Sequence, residues 1–120
     1  MASKLPNYLR TYRKRSGLSQ AEVAYLVGVS NGQKVSRYEL SNRRPALETI
    51  LAYEALFGVP AQALFAGVYA AVEGETRRRA RVLAARLGQP KGRPHARKLA
   101  VLNQVAGSPG ENPLNHDENR

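Results

Sequence analysis

Residues 18–45 read LSQAEVAYLVGVSNGQKVSRYELSNRRP, and the order of caps and apolar positions in this stretch decides the fold. Ser19 is placed to cap a helix. Its hydroxyl can accept from an unpaired first-turn N–H, and Glu22 three residues on completes a capping box. Val23, Ala24 and Val27 recur at helical spacing, and Gly28 permits the left-handed conformation that residues with a β-carbon resist. Ser30 or Asn31 can cap a second helix, in which Val35 and Tyr38 point inward and Gln33, Lys34, Ser36 and Arg37 are left outside. Two short helices joined by a tight turn are expected. An outward face of amide, hydroxyl and guanidinium groups suits the edges of base pairs in a major groove.

Working outward, an earlier helix is expected over about residues 6–15, because proline is tolerated in a first turn and Gly17 supplies a stop. Leu5, Leu9 and Tyr12 are spaced for one face of it. After the motif, Pro45 opens a helix holding Leu47, Ile50, Leu51 and Tyr53 that ends before Gly58, and residues 61–65 form a short fifth helix closing the core.

With these elements placed, residues 5–65 resemble the lambda-repressor-like helix-turn-helix domains, the XRE family. The residues that carry the likeness are Arg10, Gly17-Leu18-Ser19-Gln20, Ala24, Gly28-Val29-Ser30, Val35, Glu39, Pro45, Leu47 and Phe57-Gly58-Val59. The resemblance implies an all-α, five-helix DNA-binding domain that lays its third helix in the major groove. It implies base contacts from Gln33 and Arg37, with Lys34 and Ser36 beside them. Arginine binds guanine, and glutamine adenine, in a bidentate way worth ~1–3 kcal/mol of discrimination. It also implies a phosphate contact from Gln20, at a helix N-terminus that already favours an anion. Asn42, Arg43 and Arg44 follow the recognition helix in a loop, and their amide and cationic groups suit phosphates. Arg10 and Glu39 are implied to form an ion pair tying the first helix to the end of the third. Ala24 and Gly28 are read as architectural, since a larger side chain at Ala24 would hold the motif helices apart.

Three features depart from the family pattern. One extra residue lies within Ser30-Asn31-Gly32, which lengthens the turn or delays the helix. Ser41 stands where a glycine is usual, so Asn42 is expected to take the left-handed conformation instead. Tyr25, Leu26 and Leu40 occupy positions that are usually polar, so the C-terminal helices or a second protomer are expected to cover them.

Charge agrees with a polyanionic partner: 19 Lys and Arg stand against nine Asp and Glu, a formal net charge of +10. No apolar run is long enough for a membrane, and MASKLPNYLR lacks the apolar segment of a signal peptide, so a cytoplasmic location is expected. With no cysteine, disulfides and zinc-finger sites are excluded. His95 and His116 have no acid cluster at ligand or triad spacing, so neither an enzyme, a metal nor a cofactor is expected.

The chain is expected to divide into a DNA-binding domain over residues 1–67, a basic helical extension over 68–106 and a disordered tail over 107–120. In the extension, one helix is expected over about 75–87, with Ala80, Leu83 and Leu87 on a stripe and Gly88 as its stop. A second is expected near 95–105, with Leu99, Leu102 and Val105 on one face. Arg77-Arg78-Arg79-Ala80-Arg81 gives a dense positive strip suited to further phosphates. Pro90-Lys91-Gly92-Arg93-Pro94 is similar to the core of an AT-hook, an extended segment that enters a narrow minor groove; a plain linker is the competing explanation. The expected function is a transcriptional regulator, acting as a repressor and binding double-stranded DNA as a homodimer. An antitoxin-like protein that binds another protein, or an RNA-binding protein on the same fold, are the alternatives.

Overall fold

The computed structural model describes residues 5–89 and 91–107. Among these the secondary structure is entirely helical: α1 (Leu9–Ser16), α2 (Gln20–Val27), α3 (Gly32–Glu39), α4 (Leu47–Phe57), α5 (Ala61–Leu64), α6 (Ala66–Leu87) and α7 (Arg93–Ala106). The contacts fall into two compact units that divide at Ala70 and Ala71, inside α6.

In the first unit, α1 starts later than expected. The Asn7 side-chain oxygen accepts from Leu9 N–H at 3.0 Å, which fixes the helix start beyond Pro6. Leu5 accordingly precedes the helix and is exposed, whereas Leu9 is fully buried. Leu9, Val23, Ala24, Val27, Val35, Tyr38, Tyr53 and Leu64 form the core. At roughly 1.5–3 kcal/mol per large apolar side chain buried, these residues supply most of the drive to fold. The ring of Phe57 lies 5.9 Å from that of Tyr12 and 6.0 Å from that of Tyr53. Of the apolar residues expected in α4, Tyr53 points inward, with Thr49 beside it in the core, while Leu47 and Leu51 are exposed.

Three helices end in the same Schellman turn, in which two successive backbone N–H groups return to carbonyls of the last turn. In α1 these are Gly17 N–H to Lys14 and Leu18 N–H to Arg13; in α2, Gly28 N–H to Tyr25 and Val29 N–H to Ala24. In α3 they are Ser41 N–H to Tyr38 at 3.0 Å and Asn42 N–H to Arg37 at 2.9 Å. Ser41 itself, not Asn42, takes the left-handed conformation, with φ 62°.

Residues 5–8 run as a strap beside the start of α6. Tyr8 N–H donates to Leu64 O at 2.7 Å and Val68 N–H to Pro6 O at 3.3 Å. A β-carbon on Gly67 would collide with the Leu5 carbonyl and lie 2.7 Å from Pro6 Cα, so only glycine allows this approach.

In the second unit α6 and α7 are joined across Gly88, whose φ of 66° ends α6 as expected. α6 begins nine residues before the expected start, because its first turns are an alanine-rich run with no polar stripe to mark them. Ala80, Leu99 and Ala106 are buried, and Val105, expected inward, is 37% exposed. Pro90 and the tail beyond Gly107 lie outside the described residues.

Candidate nucleic-acid interface

The motif begins where the sequence places it. Ser19 Oγ accepts from Glu22 N–H at 3.0 Å, and Glu22 Oε1 accepts from Ser19 N–H at 2.8 Å, a complete capping box. Asn31, not Ser30, caps α3: its Oδ1 accepts from Lys34 N–H at 3.1 Å. The extra residue is therefore taken up between the helices, and Gly32 becomes the first residue of α3. A β-carbon there would lie 3.1 Å from Ala21 N and 3.3 Å from Gln20 Cβ. Gly32 thus lets the first turns of α2 and α3 come together, a packing role that spacing alone did not reveal.

α3 separates its two faces as expected. Val35 and Tyr38 are buried, and Gln33 and Arg37 are exposed one turn apart on the opposite side. Lys34 and Ser36 are half-buried at the flanks of that face. Asn42, Arg43 and Arg44 are exposed in the loop that follows. Ala24 is buried, and Gly28 ends α2 with φ 80°.

The expected ion pair is corrected. Arg10 is exposed, and Arg13, one turn later, holds Glu39. Arg13 Nε donates to Glu39 Oε2 at 2.6 Å and Nη2 to Oε1 at 3.2 Å, while Nη1 donates to Leu18 O at 3.1 Å. The reason is position along α1. Glu39 lies beside the last turn of that helix and Leu18, whereas Arg10 belongs to the first turn. Hydrogen bonding to the Glu39 carboxylate holds the Arg13 guanidinium above its ordinary value. Gln20, expected at a phosphate, donates its side-chain Nε2 to Glu39 Oε1 at 3.2 Å. One carboxylate, 3% exposed, therefore joins the end of α1, the start of α2 and the end of α3. Beneath it, the buried Tyr53 hydroxyl has no hydrogen-bond partner, and burial pushes its pKa well above the usual phenol value.

Asn7, which carried no expected role, donates Nδ2 to Tyr38 O at 2.9 Å and to Ser41 Oγ at 3.1 Å. Its signal in the sequence was a short amide two residues before an apolar helix position, where such residues bond local N–H groups.

The surface expected to be covered is open in the single chain: Tyr25 is 84% exposed, Leu40 61% and Leu26 49%. Tyr25 and Leu26 line a shallow groove with Leu18, Ala21 and Glu22. The positive strip of α6 is largely paired within its own helix. Arg77 holds Glu73 at 3.2 Å, Arg78 and Arg79 hold Glu75 at 2.6 and 3.0 Å, and Arg81 donates to Ala106 O at 3.4 Å. The run similar to an AT-hook is not extended over its described length, because Arg93 and Pro94 form the first turn of α7.

Among the described residues no group of three or more His, Asp or Glu side chains is placed to hold a metal ion, and no helix is long and apolar enough to cross a membrane. What the arrangement offers is a rigidly framed helix with a polar outer face and a cationic loop at its end. That combination can meet a groove edge and its phosphates. No curated protein and no solved structure matches the chain. The family model described as a helix-turn-helix domain matches residues 5–66, which is more than half of the chain and spans α1 to α5. The chain belongs to the helix-turn-helix domain family, and that membership suggests a DNA-binding regulator.

Proposed function

We propose that the protein is a sequence-specific transcriptional regulator of the phage-repressor type. In this reading Gln33 and Arg37 read base edges, Lys34 and Ser36 flank them, and Gln20, Asn42, Arg43 and Arg44 engage phosphates. The observation that carries it is the division of α3 within a matched helix-turn-helix domain: Val35 and Tyr38 are committed to the core, and Gln33 and Arg37 stand free one turn apart. Repression follows from occupying a promoter, and a homodimer places two such helices on successive major-groove faces of a palindromic site. The basic helices α6 and α7 add long-range attraction to DNA, less than their composition implies because Glu73 and Glu75 neutralise part of the strip.

The test is selection from a random duplex pool by the purified chain, with Arg37→Ala run beside it at moderate salt. One enriched palindromic motif is expected, with Arg37→Ala costing about 1–3 kcal/mol and relaxing preference at one position. Tight retention without enrichment, or preference for structured RNA, overturns the reading. A second reading is favoured by the exposed Tyr25, Leu26 and Leu40: a protein partner docks there, as in an antitoxin-like regulator. A Tyr25→Ala, Leu26→Ala chain that keeps DNA binding but loses a co-purifying partner supports it.

A further inference from the structure

Asn7 uses its whole side chain at a junction. Oδ1 accepts from Leu9 N–H and starts α1. Nδ2 reaches across to the end of α3, donating to the Tyr38 carbonyl and to the Ser41 hydroxyl. Both acceptors belong to the Schellman turn from which the loop Asn42-Arg43-Arg44 departs.

The identity of Ser41 makes this contact informative. α1 and α2 close the same turn with Gly17 and Gly28 at the left-handed position. α3 closes it with Ser41, which has the only positive φ among the described non-glycine residues. A serine left to itself is strained there, because its β-carbon crowds the backbone. Anchoring its hydroxyl supplies the hold that glycine supplies elsewhere by having no side chain. Asn7 in turn is fixed from behind: the strap of residues 5–8 is bonded to Leu64 and Val68 and lies against Gly67, which leaves no room for a β-carbon. The anchor is therefore built on the scaffold and not on a mobile side chain.

We infer that Asn7 is a positioning residue of the DNA interface. It holds Ser41 in the left-handed turn and so aims Asn42, Arg43 and Arg44 at phosphates, while touching no DNA itself. This rests on the DNA-binding reading above.

The experiment uses the full chain with two duplexes, one carrying the enriched motif and one a scrambled sequence, titrated across about 50–200 mM salt. Asn7→Ser keeps a neutral acceptor for Leu9 N–H but is too short to reach Tyr38 and Ser41. It is expected to weaken both duplexes about fivefold, leave their ratio unchanged, and lower the slope of log K against log salt by about 0.9 per phosphate lost. Ser41→Gly alone should bind like the parent chain. In the Asn7→Ser background, Ser41→Gly should restore the slope, because glycine keeps the turn without an anchor. Ser41→Ala removes the hydroxyl without touching the start of α1 and should reproduce the loss, which keeps the test open if Asn7→Ser does not fold. A parental slope in Asn7→Ser or in Ser41→Ala, or no rescue by glycine, overturns the assignment while the DNA reading stands. If the parent chain retains neither duplex, the DNA reading falls and takes this inference with it.

Discussion

In the first unit a single glutamate, Glu39, is 3% exposed and holds both Arg13 and Gln20; in the second, Glu73 and Glu75 are each about half-exposed and hold arginines of their own helix. The same charge chemistry does different things in the two places. Glu39 connects residues 19 and 26 positions away, so it fixes how helices meet. The pairs within α6 span three or four positions, so they support one helix and are screened by solvent. Glycines repeat the contrast. Gly67 in the first unit is pressed against the strap, whereas Gly74 in the second has nothing near the place a β-carbon would take.

The widest separation between the units should come from Glu39→Ala, which leaves the Arg13 guanidinium 12% exposed and without its carboxylate. A loss of about 3 kcal/mol is expected by urea denaturation, against an unchanged midpoint for Glu75→Ala. An equal response from both would break the comparison. Next, Gly67→Ala should cost about 2 kcal/mol through overpacking against Leu5 and Pro6. Gly74→Ala should instead stabilise by about 0.5–1 kcal/mol, since it restores helix propensity in open space. Thermal melts of the two alanine variants read the opposite signs directly.

The smallest effect concerns alkaline pH. Burial raises the Tyr53 pKa in the folded state, so its contribution to stability is fully present below pH 10 and is lost as pH rises above 10. Tyr53→Phe should flatten that fall in melts recorded from neutral to alkaline pH. The second unit contains no tyrosine and should add nothing to this dependence.

Much of the first unit was legible because local chemistry and tertiary packing agree there. The capping box at Ser19 and Glu22, the stops at Gly17, Gly28 and Gly58, and the inward pair Val35 and Tyr38 are each set within a few residues of themselves. What escaped the reading depends on distant partners. Arg10 and Arg13 share a helical face, and only the position of Glu39 beside the last turn of α1 selects between them. Leu47 and Thr49 are both compatible with a helix, and the core admits the threonine. Gly67 drew no reading from the sequence, and its close approach to the Leu5 carbonyl and Pro6 depends on how the strap lies against α6.

Gly32 has a consequence for anyone who would retarget this protein. Replacing α3 wholesale with a helix from another regulator would bring a side chain to position 32, with its β-carbon 3.1 Å from Ala21 N, so the start of α2 would have to give by a few tenths of an ångström. A workable library keeps Gly32, Val35, Tyr38 and Glu39 constant and randomises Gln33, Lys34, Ser36 and Arg37. On the DNA-binding reading, the outer face of α3 is more safely exchanged residue by residue than as a cassette.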